Sequence, residues 1–243
     1  MFEISSREGL PIRGDIDAPP QARAAVVIIH GFGAFKDWGF FPWLSEYLCA
    51  SGAVAARFNM SRSGIGDVND RFDRLDLFRD DTYTIQIHDL LDVVAYTQSR
   101  FRGVPLFLLG HSRGGGIALL AAREIEDLAG VVTWSGISRA DRWDDVDVTA
   151  TAVLADFEAN RQRLDILDSA SQLRVPLLAI HGASDKSVPA DDSRAIVAKA
   201  TDSSLLTIEG ASHTFNAIHP LVHVPRALEL AAVVSSHFIA AYS

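Results

Sequence analysis

Residues 106–116 read LFLLGHSRGGG, and this stretch decides the predicted fold. Four apolar residues of strand length, 106–109, lead directly into Gly110-His111-Ser112-Arg113-Gly114, and helical composition follows over 114–125. A serine on a tight turn between a strand and a helix projects its hydroxyl, and glycines beside it avoid collisions with neighbouring elements. The stretch predicts a strand, a sharp turn and a helix, with Ser112 as a candidate nucleophile. The alternative is a glycine-rich turn with an ordinary serine.

On both sides of this turn, apolar runs of strand length alternate with stretches of helical periodicity. This alternation is typical of a parallel sheet covered by crossover helices. We therefore predict an α/β protein with a mostly parallel central sheet and helices on both faces. The predicted strands are 2–5 and 12–16, which form a hairpin, and 24–29, 54–58, 106–109, 131–134, 177–180 and 204–208. One predicted helix begins at Pro42, and the others cover 82–97, 114–125, 153–167 and 224–239.

Length and composition indicate one packed domain. The chain has 243 residues, of which 48% are hydrophobic and 22% charged. A chain of this size buries enough surface for one core without disulfides or metals. The alternating pattern breaks over 136–174, a segment too short and too polar to hold a core of its own. We predict a single domain over 1–243 with a short lid inserted at 136–174.

The formal net charge of -9 argues against binding to nucleic acid or to an anionic membrane surface, since both are polyanions. It favours a small-molecule partner. Cys49 is the only cysteine, which excludes an intrachain disulfide and a cysteine-rich zinc site. The first 16 residues lack the apolar core of a secretory signal, and no apolar run approaches the ~20 residues of a membrane span. We therefore expect a cytoplasmic protein, and the sequence predicts no particular oligomeric state.

A serine nucleophile needs two further residues. Its hydroxyl reacts poorly near neutral pH, so the turn predicts a histidine that accepts its proton and an acid that orients the histidine. With this turn the acid precedes the histidine along the chain, and each follows a late strand. Asp185 comes after the predicted strand 177–180 and His213 after 204–208, which makes them the candidate acid and base. The rival acids are Asp141, Asp191 and Asp192.

Two backbone N–H groups are expected to stabilise the oxyanion that forms when the serine attacks a carbonyl group. One belongs to Arg113, the residue after the nucleophile, and the other to the loop after the first central strand. In that loop, His30-Gly31-Phe32-Gly33, the glycines let the backbone bend toward the serine, so we assign the second donor to Phe32. A glycine loop can also bind phosphate, but the chain has neither G-x-x-x-x-G-K-[ST] nor G-x-G-x-x-G.

Four motifs together resemble the α/β-hydrolase superfamily: His-Gly-Phe at 30–32, Gly-His-Ser-Arg-Gly-Gly at 110–115, Gly-Ala-Ser-Asp-Lys-Ser-Val-Pro at 182–189 and Ser-His-Thr-Phe at 212–215. The resemblance implies Ser112 as nucleophile, Asp185 as orienting acid and His213 as general base. Within the superfamily the chain is most similar to small bacterial carboxylesterases of the feruloyl-esterase and serine-aminopeptidase-like branch. It departs from dienelactone hydrolases and haloalkane dehalogenases, whose nucleophiles are cysteine and aspartate, and from lipases with a His-Gly-Gly-Gly loop.

The function expected from these residues is hydrolysis of a small to medium-sized carboxylic ester through an acyl-enzyme, without a cofactor. Thioester or peptide cleavage, acyl transfer and a non-catalytic hydrolase-like binding protein are the alternatives. We predict no bound metal, because the acidic run 144–147 lacks the glycine and terminal glutamate of a calcium loop. The substrate pocket is expected above the carboxyl ends of the strands, between the loop 59–81 and the segment 136–174. Its candidate residues are Phe35, Trp38, Trp134 and Trp143.

Overall fold

The computed structural model describes residues 1–66, 71–141 and 150–243. Within these ranges the chain forms an eight-stranded sheet with helices packed against it. The strands are β1 (Phe2–Ser5), β2 (Pro11–Asp17), β3 (Ala24–Ile29), β4 (Ala53–Asn59), β5 (Leu106–His111), β6 (Leu128–Trp134), β7 (Leu177–Gly182) and β8 (Ser203–Ile208). The helices are α1 (Phe41–Ala50), α2 (Leu75–Phe78), α3 (Tyr83–Arg100), α4 (Arg113–Ala122), α5 (Ala150–Asn160), α6 (Ile166–Ser171), α7 (Ala190–Lys199) and α8 (Arg226–Ala241).

Strand order and direction place the loops that carry the candidate site. The order is β1-β2-β4-β3-β5-β6-β7-β8. The predicted hairpin of β1 and β2 is antiparallel and joins β4 in antiparallel pairing, while the pairings from β4 through to β8 are parallel. The carboxyl ends of the six parallel strands therefore lie along one edge of the sheet, where ligands bind in proteins of this class. The predicted α/β class and mostly parallel sheet are confirmed.

Helices cover both faces because the central strands are apolar on both sides. All six residues of β3 are buried, and alternate residues face opposite ways, as the pleat requires. Ala25 and Val27 pack in one cluster with residues of α3 and α4, whereas Val26 and Ile28 pack in a second cluster with residues of α1 and α8. The side chains of the sheet centre are thus used for the core. Residues that act on a ligand must come from the loops at the carboxyl edge.

The predicted helix over 153–167 is wrong, because the chain forms two shorter helices there. Near the end of α5 the Asn160 side-chain amide donates back to the Asp156 carbonyl oxygen at 3.1 Å. At the start of α6 the Asp165 side chain accepts a hydrogen bond from the Asp168 N–H at 2.9 Å, which is an N-cap. Hydrophobic periodicity did not reveal this cap. The assignment of 136–174 as a lid within a single domain stays a prediction.

The long loop before α3 contains secondary structure of its own. The helix α2 lies within it, and Ile65 forms an isolated bridge with Phe72. This part of the chain stands next to the carboxyl edge, because Phe78 of α2 packs against Phe32 in the loop after β3. Across the described ranges, every helix is too short or too polar to span a bilayer.

Candidate active site

Ser112 lies on the sharp turn between β5 and α4, with backbone angles φ 56° and ψ -121°. A residue other than glycine rarely adopts positive φ, so the surrounding structure must hold it there. Its N–H donates to the Trp134 carbonyl oxygen at 2.8 Å. A Cβ on Gly110 would overlap the Gly114 carbonyl, and a Cβ on Gly114 would overlap the carbonyl of Ile29. The predicted strand, turn and helix are confirmed, and close backbone approach explains both glycines of the motif.

Asp185 follows β7 and receives hydrogen bonds on both carboxylate oxygens. Its Oδ1 accepts from the N–H groups of Ser187 at 2.8 Å and Val188 at 2.9 Å. Its Oδ2 lies 2.7 Å from Nδ1 of His213, and only 1% of the side chain is exposed. Burial raises the pKa of this carboxyl, but hydrogen bonds from His181 and His213 outweigh burial and hold the pKa well below its ordinary value. Asp185 is therefore a carboxylate, and Nδ1 of His213 must donate to it.

His213 lies in the turn after β8, and 20% of its side chain is exposed. Two reciprocal hydrogen bonds of 2.9 Å close this turn: the Ser212 N–H donates to Asn216 Oδ1, and the Asn216 N–H donates to Ser212 Oγ. Because Nδ1 donates to Asp185, Nε2 of the neutral ring carries the lone pair that a general base needs. No hydrogen bond joins His213 Nε2 to the Ser112 hydroxyl in this structure.

The rival acids pair elsewhere. Asp141 Oδ1 accepts from Arg139 at 2.8 Å, and Asp191 Oδ1 accepts from Arg194 at 2.5 Å. Asp192 Oδ2 accepts from the N–H of Ser138 at 2.9 Å. Of the four candidate carboxylates, Asp185 is the one that the structure places within hydrogen-bond distance of His213.

His111 connects the strand that carries Ser112 to the turn that carries His213. Its Nε2 lies 2.9 Å from the His213 carbonyl oxygen, and the two ring centroids are 4.7 Å apart. Burial, reinforced by the neighbouring His213, lowers the pKa of His111 to about 3, so the ring is neutral and Nε2–H donates to the carbonyl. Ser112 and His213 are thereby brought to the same part of the carboxyl edge.

A second histidine contacts the acid, and sequence reasoning missed it. His181, at the end of β7, is fully buried and places Nε2 3.2 Å from Asp185 Oδ2 and 3.0 Å from the Val188 carbonyl oxygen. Both neighbours are acceptors, so Nε2 carries the proton, and Nδ1 accepts from Ser193 Oγ at 2.7 Å. The available signal was the position of His181 directly after the predicted strand 177–180 and four residues before Asp185.

The loop after β3 lies against Ser112. A Cβ on Gly31 would stand 3.0 Å from the Ser112 Cβ, so a residue without a side chain permits the approach. The next residue is Phe32, whose N–H donates no hydrogen bond to the residues that the structure describes. The loop that carries Phe32 and the helix that begins at Arg113 therefore meet at Ser112. Their task as oxyanion donors stays a proposal.

Trp134 does not line a pocket, so that prediction is wrong. It is fully buried, and its ring packs against Phe40 and Phe215 in the cluster covered by α1 and α8. Its Nε1–H donates to Ser235 Oγ of α8 at 2.9 Å. The pleat of β6 directs this last side chain of the strand into the core, and a sequence does not reveal which face a strand-end residue takes.

Phe35 and Trp38 lie in the loop between β3 and α1, where both contact His219. Phe35 is 4% exposed, and its ring centroid is 6.2 Å from that of Phe72 and 5.4 Å from that of His219. Trp38 is half-buried and stacks on His219 with centroids 5.9 Å apart. Both residues belong to one aromatic cluster, in which Trp38 exposes more surface. Trp143 and the acidic run beside it lie outside the described residues.

Comparison with known proteins identifies the family. The family model described as serine aminopeptidase, S33 matches residues 20–158, more than half of the chain. A monoglyceride lipase homolog of Monkeypox virus is 28% identical over 139 residues, which cover 57% of this chain and 47% of that protein. A monoglyceride lipase of Saccharomyces cerevisiae is 28% identical over 102 residues, which cover 41% of this chain and 30% of that protein. The chain thus spans less than half the length of these curated relatives.

Solved structures agree on the architecture. The structure of Est1E from Butyrivibrio proteoclasticus with ferulic acid bound matches 100% of this chain and 99% of its own, with a TM-score of 0.78 and 22% sequence identity. At this identity the likeness concerns the fold. The sheet order, the serine turn between β5 and α4 and the family match lead to one conclusion: this chain belongs to the serine aminopeptidase S33 family and has the α/β-hydrolase fold.

Proposed function

We propose that this protein is a serine hydrolase that cleaves carboxylic esters of small to medium size, with Ser112 as nucleophile, His213 as general base and Asp185 as the orienting acid. The observation that carries the proposal is the 2.7 Å hydrogen bond between His213 Nδ1 and Asp185 Oδ2, at the sheet edge where the strained turn presents Ser112. The match to a family of serine hydrolases supports it.

The first half of the reaction forms an acyl-enzyme. The Ser112 hydroxyl gives its proton to His213 Nε2 while Oγ attacks the ester carbonyl carbon, and the carbonyl electrons move to oxygen. Asp185 stabilises the imidazolium that results. The N–H groups of Phe32 and Arg113 donate to the oxyanion, which collapses, breaks the bond to the alcohol oxygen and returns the proton from His213 to that leaving group.

The second half repeats these steps with water. His213 takes a proton from water, whose oxygen attacks the acyl carbon, and the acid product leaves as Ser112 recovers its proton. The missing hydrogen bond between Ser112 and His213 is compatible with this scheme, because such bonds often form only when substrate is bound. Rotation about one side-chain bond reorients the serine hydroxyl without moving the turn.

An apolar surface beside the nucleophile supports esters with an apolar acyl or aryl group. Phe72 and Leu75 are 37% and 49% exposed, and the Phe72 ring contacts Phe78, which stacks on Phe32. Two of the similar proteins are monoglyceride lipases by name, and the Est1E structure holds ferulic acid. We assign the apolar part of the substrate to this surface. The segment 136–174 is proposed to cover it as a short lid.

The test combines labelling with turnover. A fluorophosphonate probe is expected to label the wild type, and p-nitrophenyl acetate to be hydrolysed. Ser112→Ala should abolish labelling and lower turnover by roughly 10⁴-fold or more, because the nucleophile and base act as one unit. His213→Ala should be similarly slow. Ser99→Ala, an exposed serine of α3, is the matched control and should behave like the wild type.

A substrate panel then separates the alternatives. It contains esters of graded acyl length, a feruloyl ester, a thioester and an amino-acid amide, each assayed with wild type and Ser112→Ala. We expect turnover to be highest with apolar esters. Faster turnover of the thioester or amide would reassign the substrate class and keep the three residues. A folded wild type that takes up no probe and hydrolyses no member would refute the enzyme and indicate a binding protein.

A further inference from the structure

We propose that the Arg113 side chain is a positioning residue: it holds the Phe32 ring, and thereby the Phe32 N–H, where an oxyanion donor must stand. The inference rests on the proposed function, because it assigns a task within the same site. It goes beyond the backbone N–H that makes Arg113 the other expected donor. One residue would then supply the first donor by its backbone and place the second by its side chain.

The guanidinium of Arg113 lies against two aromatic rings. Its Cζ is 4.2 Å from the ring centroid of Phe32 and 5.0 Å from that of Tyr83, so it makes cation–π contacts with both. Arg113 is 5% exposed and Tyr83 1% exposed, which makes the cation a buried, fixed partner. Phe78 stacks on Phe32 with centroids 5.4 Å apart. The Phe32 side chain, 42% exposed, is thus held by a buried cation and by a ring of α2.

The loop around Phe32 needs such an anchor. Gly31 and Gly33 flank Phe32, and Gly33 has a φ of +63°. Glycines offer no side chain to pack, so other contacts must hold this loop in place. The Gly31 carbonyl lies in the same peptide plane as the Phe32 N–H; it accepts from the Ala34 N–H at 3.3 Å and lies 2.9 Å from His30 Nδ1. These hydrogen bonds hold one side of the Phe32 peptide group, and the contacts of the Phe32 ring hold the residue on the other side.

The size of the effect follows from two known factors. A cation–π contact shifts a conformational equilibrium by about 5- to 30-fold when it is shielded from water. Loss of one oxyanion donor lowers turnover by about 10²- to 10³-fold. Removing the guanidinium would leave the Phe32 N–H present but misplaced for part of the time. We therefore expect kcat to fall about 10-fold while KM stays within about twofold, because the donor acts in the transition state.

A purely structural role makes different predictions. Arg113 also acts on the buried Asp81: burial raises the pKa of that carboxyl to about 8, and the charge of Arg113 opposes the shift. If Arg113 only stabilised this buried region, activity would fall in step with stability. The positioning role instead predicts a selective fall in kcat that requires the Phe32 ring.

The test compares Arg113→Met, Phe32→Leu and the double variant with the wild type. Each is assayed with p-nitrophenyl acetate and with a trifluoromethyl ketone, which forms an oxyanion when a serine adds to it. We expect each single variant to lower kcat about 10-fold and to weaken inhibition by a similar factor. The double variant should be no slower than Phe32→Leu alone, because both substitutions break one contact. Arg113→Lys keeps a cation and should recover part of the rate.

The matched control removes a cation–π contact elsewhere. Arg100 lies 5.9 Å from the Tyr96 ring centroid at the far end of α3, and Arg100→Met should leave kcat unchanged. Three outcomes would overturn the inference and leave the proposed function standing. They are a wild-type kcat in Arg113→Met, single-variant effects that multiply in the double variant, and a kcat that falls only in step with thermal stability. An inactive wild type would refute both. If Arg113→Met does not fold, Phe32→Leu provides the test. A wild-type kcat in that variant would overturn the inference.

Discussion

At the scale of single residues, the candidate site is organised around the Asp185 carboxylate. Two histidines approach the same oxygen, His213 from the turn after β8 and His181 from the end of β7. His213 is partly exposed and can meet a substrate, whereas His181 is fully buried and cannot. We therefore interpret His181 as a residue that orients the acid, which in turn orients His213. A loop position after a late strand was enough to select Asp185 and His213 as candidates, but not their buried partner His181.

We expect His181→Ala to lower kcat about 10-fold, less than His213→Ala does. The substitution removes a donor that helps to keep the Asp185 pKa low, and it leaves the Val188 carbonyl without that donor. His181→Gln retains an amide N–H and should keep more activity. The measurement is kcat with p-nitrophenyl acetate, and the exposed His237→Ala serves as control. Wild-type kcat in His181→Ala would mean that His213 and the backbone donors suffice to hold the carboxylate.

At the scale of elements, the turn between β5 and α4 is set by backbone packing. Gly114 stands at the point where α4 crosses the end of β3, and a Cβ there would overlap the carbonyl groups of Ile29 and His30. The adjoining loop after β3 carries Phe32. A shift of α4 away from β3 would therefore move Ser112 and the loop that carries Phe32 apart.

We expect Gly114→Ala to destabilise the protein by about 2–3 kcal/mol and to slow fluorophosphonate labelling at least 10-fold, because backbone atoms cannot give way cheaply. Urea unfolding and the labelling rate measure the two effects. Gly103→Ala is the control: Gly103 has φ +74° and open space around a Cβ, so alanine costs about 1 kcal/mol of backbone strain and leaves labelling unchanged. Equal labelling rates in the two variants would contradict this account of the turn.

At the scale of the whole molecule, one buried carboxyl ties global stability to pH. Asp81 is 1% exposed and accepts a hydrogen bond from the Gln86 side-chain amide. Burial raises its pKa to about 8, against an ordinary value of 3.8. Between these pH values the folded protein binds a proton that the unfolded chain has lost. The contribution of Asp81 to the free energy of unfolding is therefore greatest below pH 3.8 and falls as the pH rises toward 8.

Asp81→Asn cannot ionise and should remove this dependence. We expect the difference in free energy of unfolding between the variant and the wild type to shift in favour of the variant by roughly 4 kcal/mol from pH 5 to pH 8. Urea midpoints at pH 5, 6, 7 and 8 provide the measurement, with the exposed Asp202→Asn as control. A difference between variant and wild type that stays constant from pH 5 to pH 8 would contradict the raised pKa of Asp81.

The sequence by itself determined the features that depend on neighbouring residues. Apolar runs of strand length predicted the strands, with ends that differ from the observed ones by a few residues at most. The glycines around Ser112 predicted the serine turn, and part of their constraint is local, because a Cβ on Gly110 would overlap the Gly114 carbonyl four residues away. Chain order and loop position predicted Asp185 and His213, which the structure joins by a hydrogen bond.

Only the tertiary structure decided the features that depend on residues distant in sequence. The register of β6 turned Trp134 into the core, and the contact of His111 with the His213 carbonyl joins residues 102 positions apart. The placement of the Arg113 guanidinium on Phe32 likewise requires the start of α4 to meet the loop after β3. The physical reason is the same in each case. Periodicity and turn chemistry act over a few residues, whereas the face and partner of a side chain are set by how the strands and helices pack.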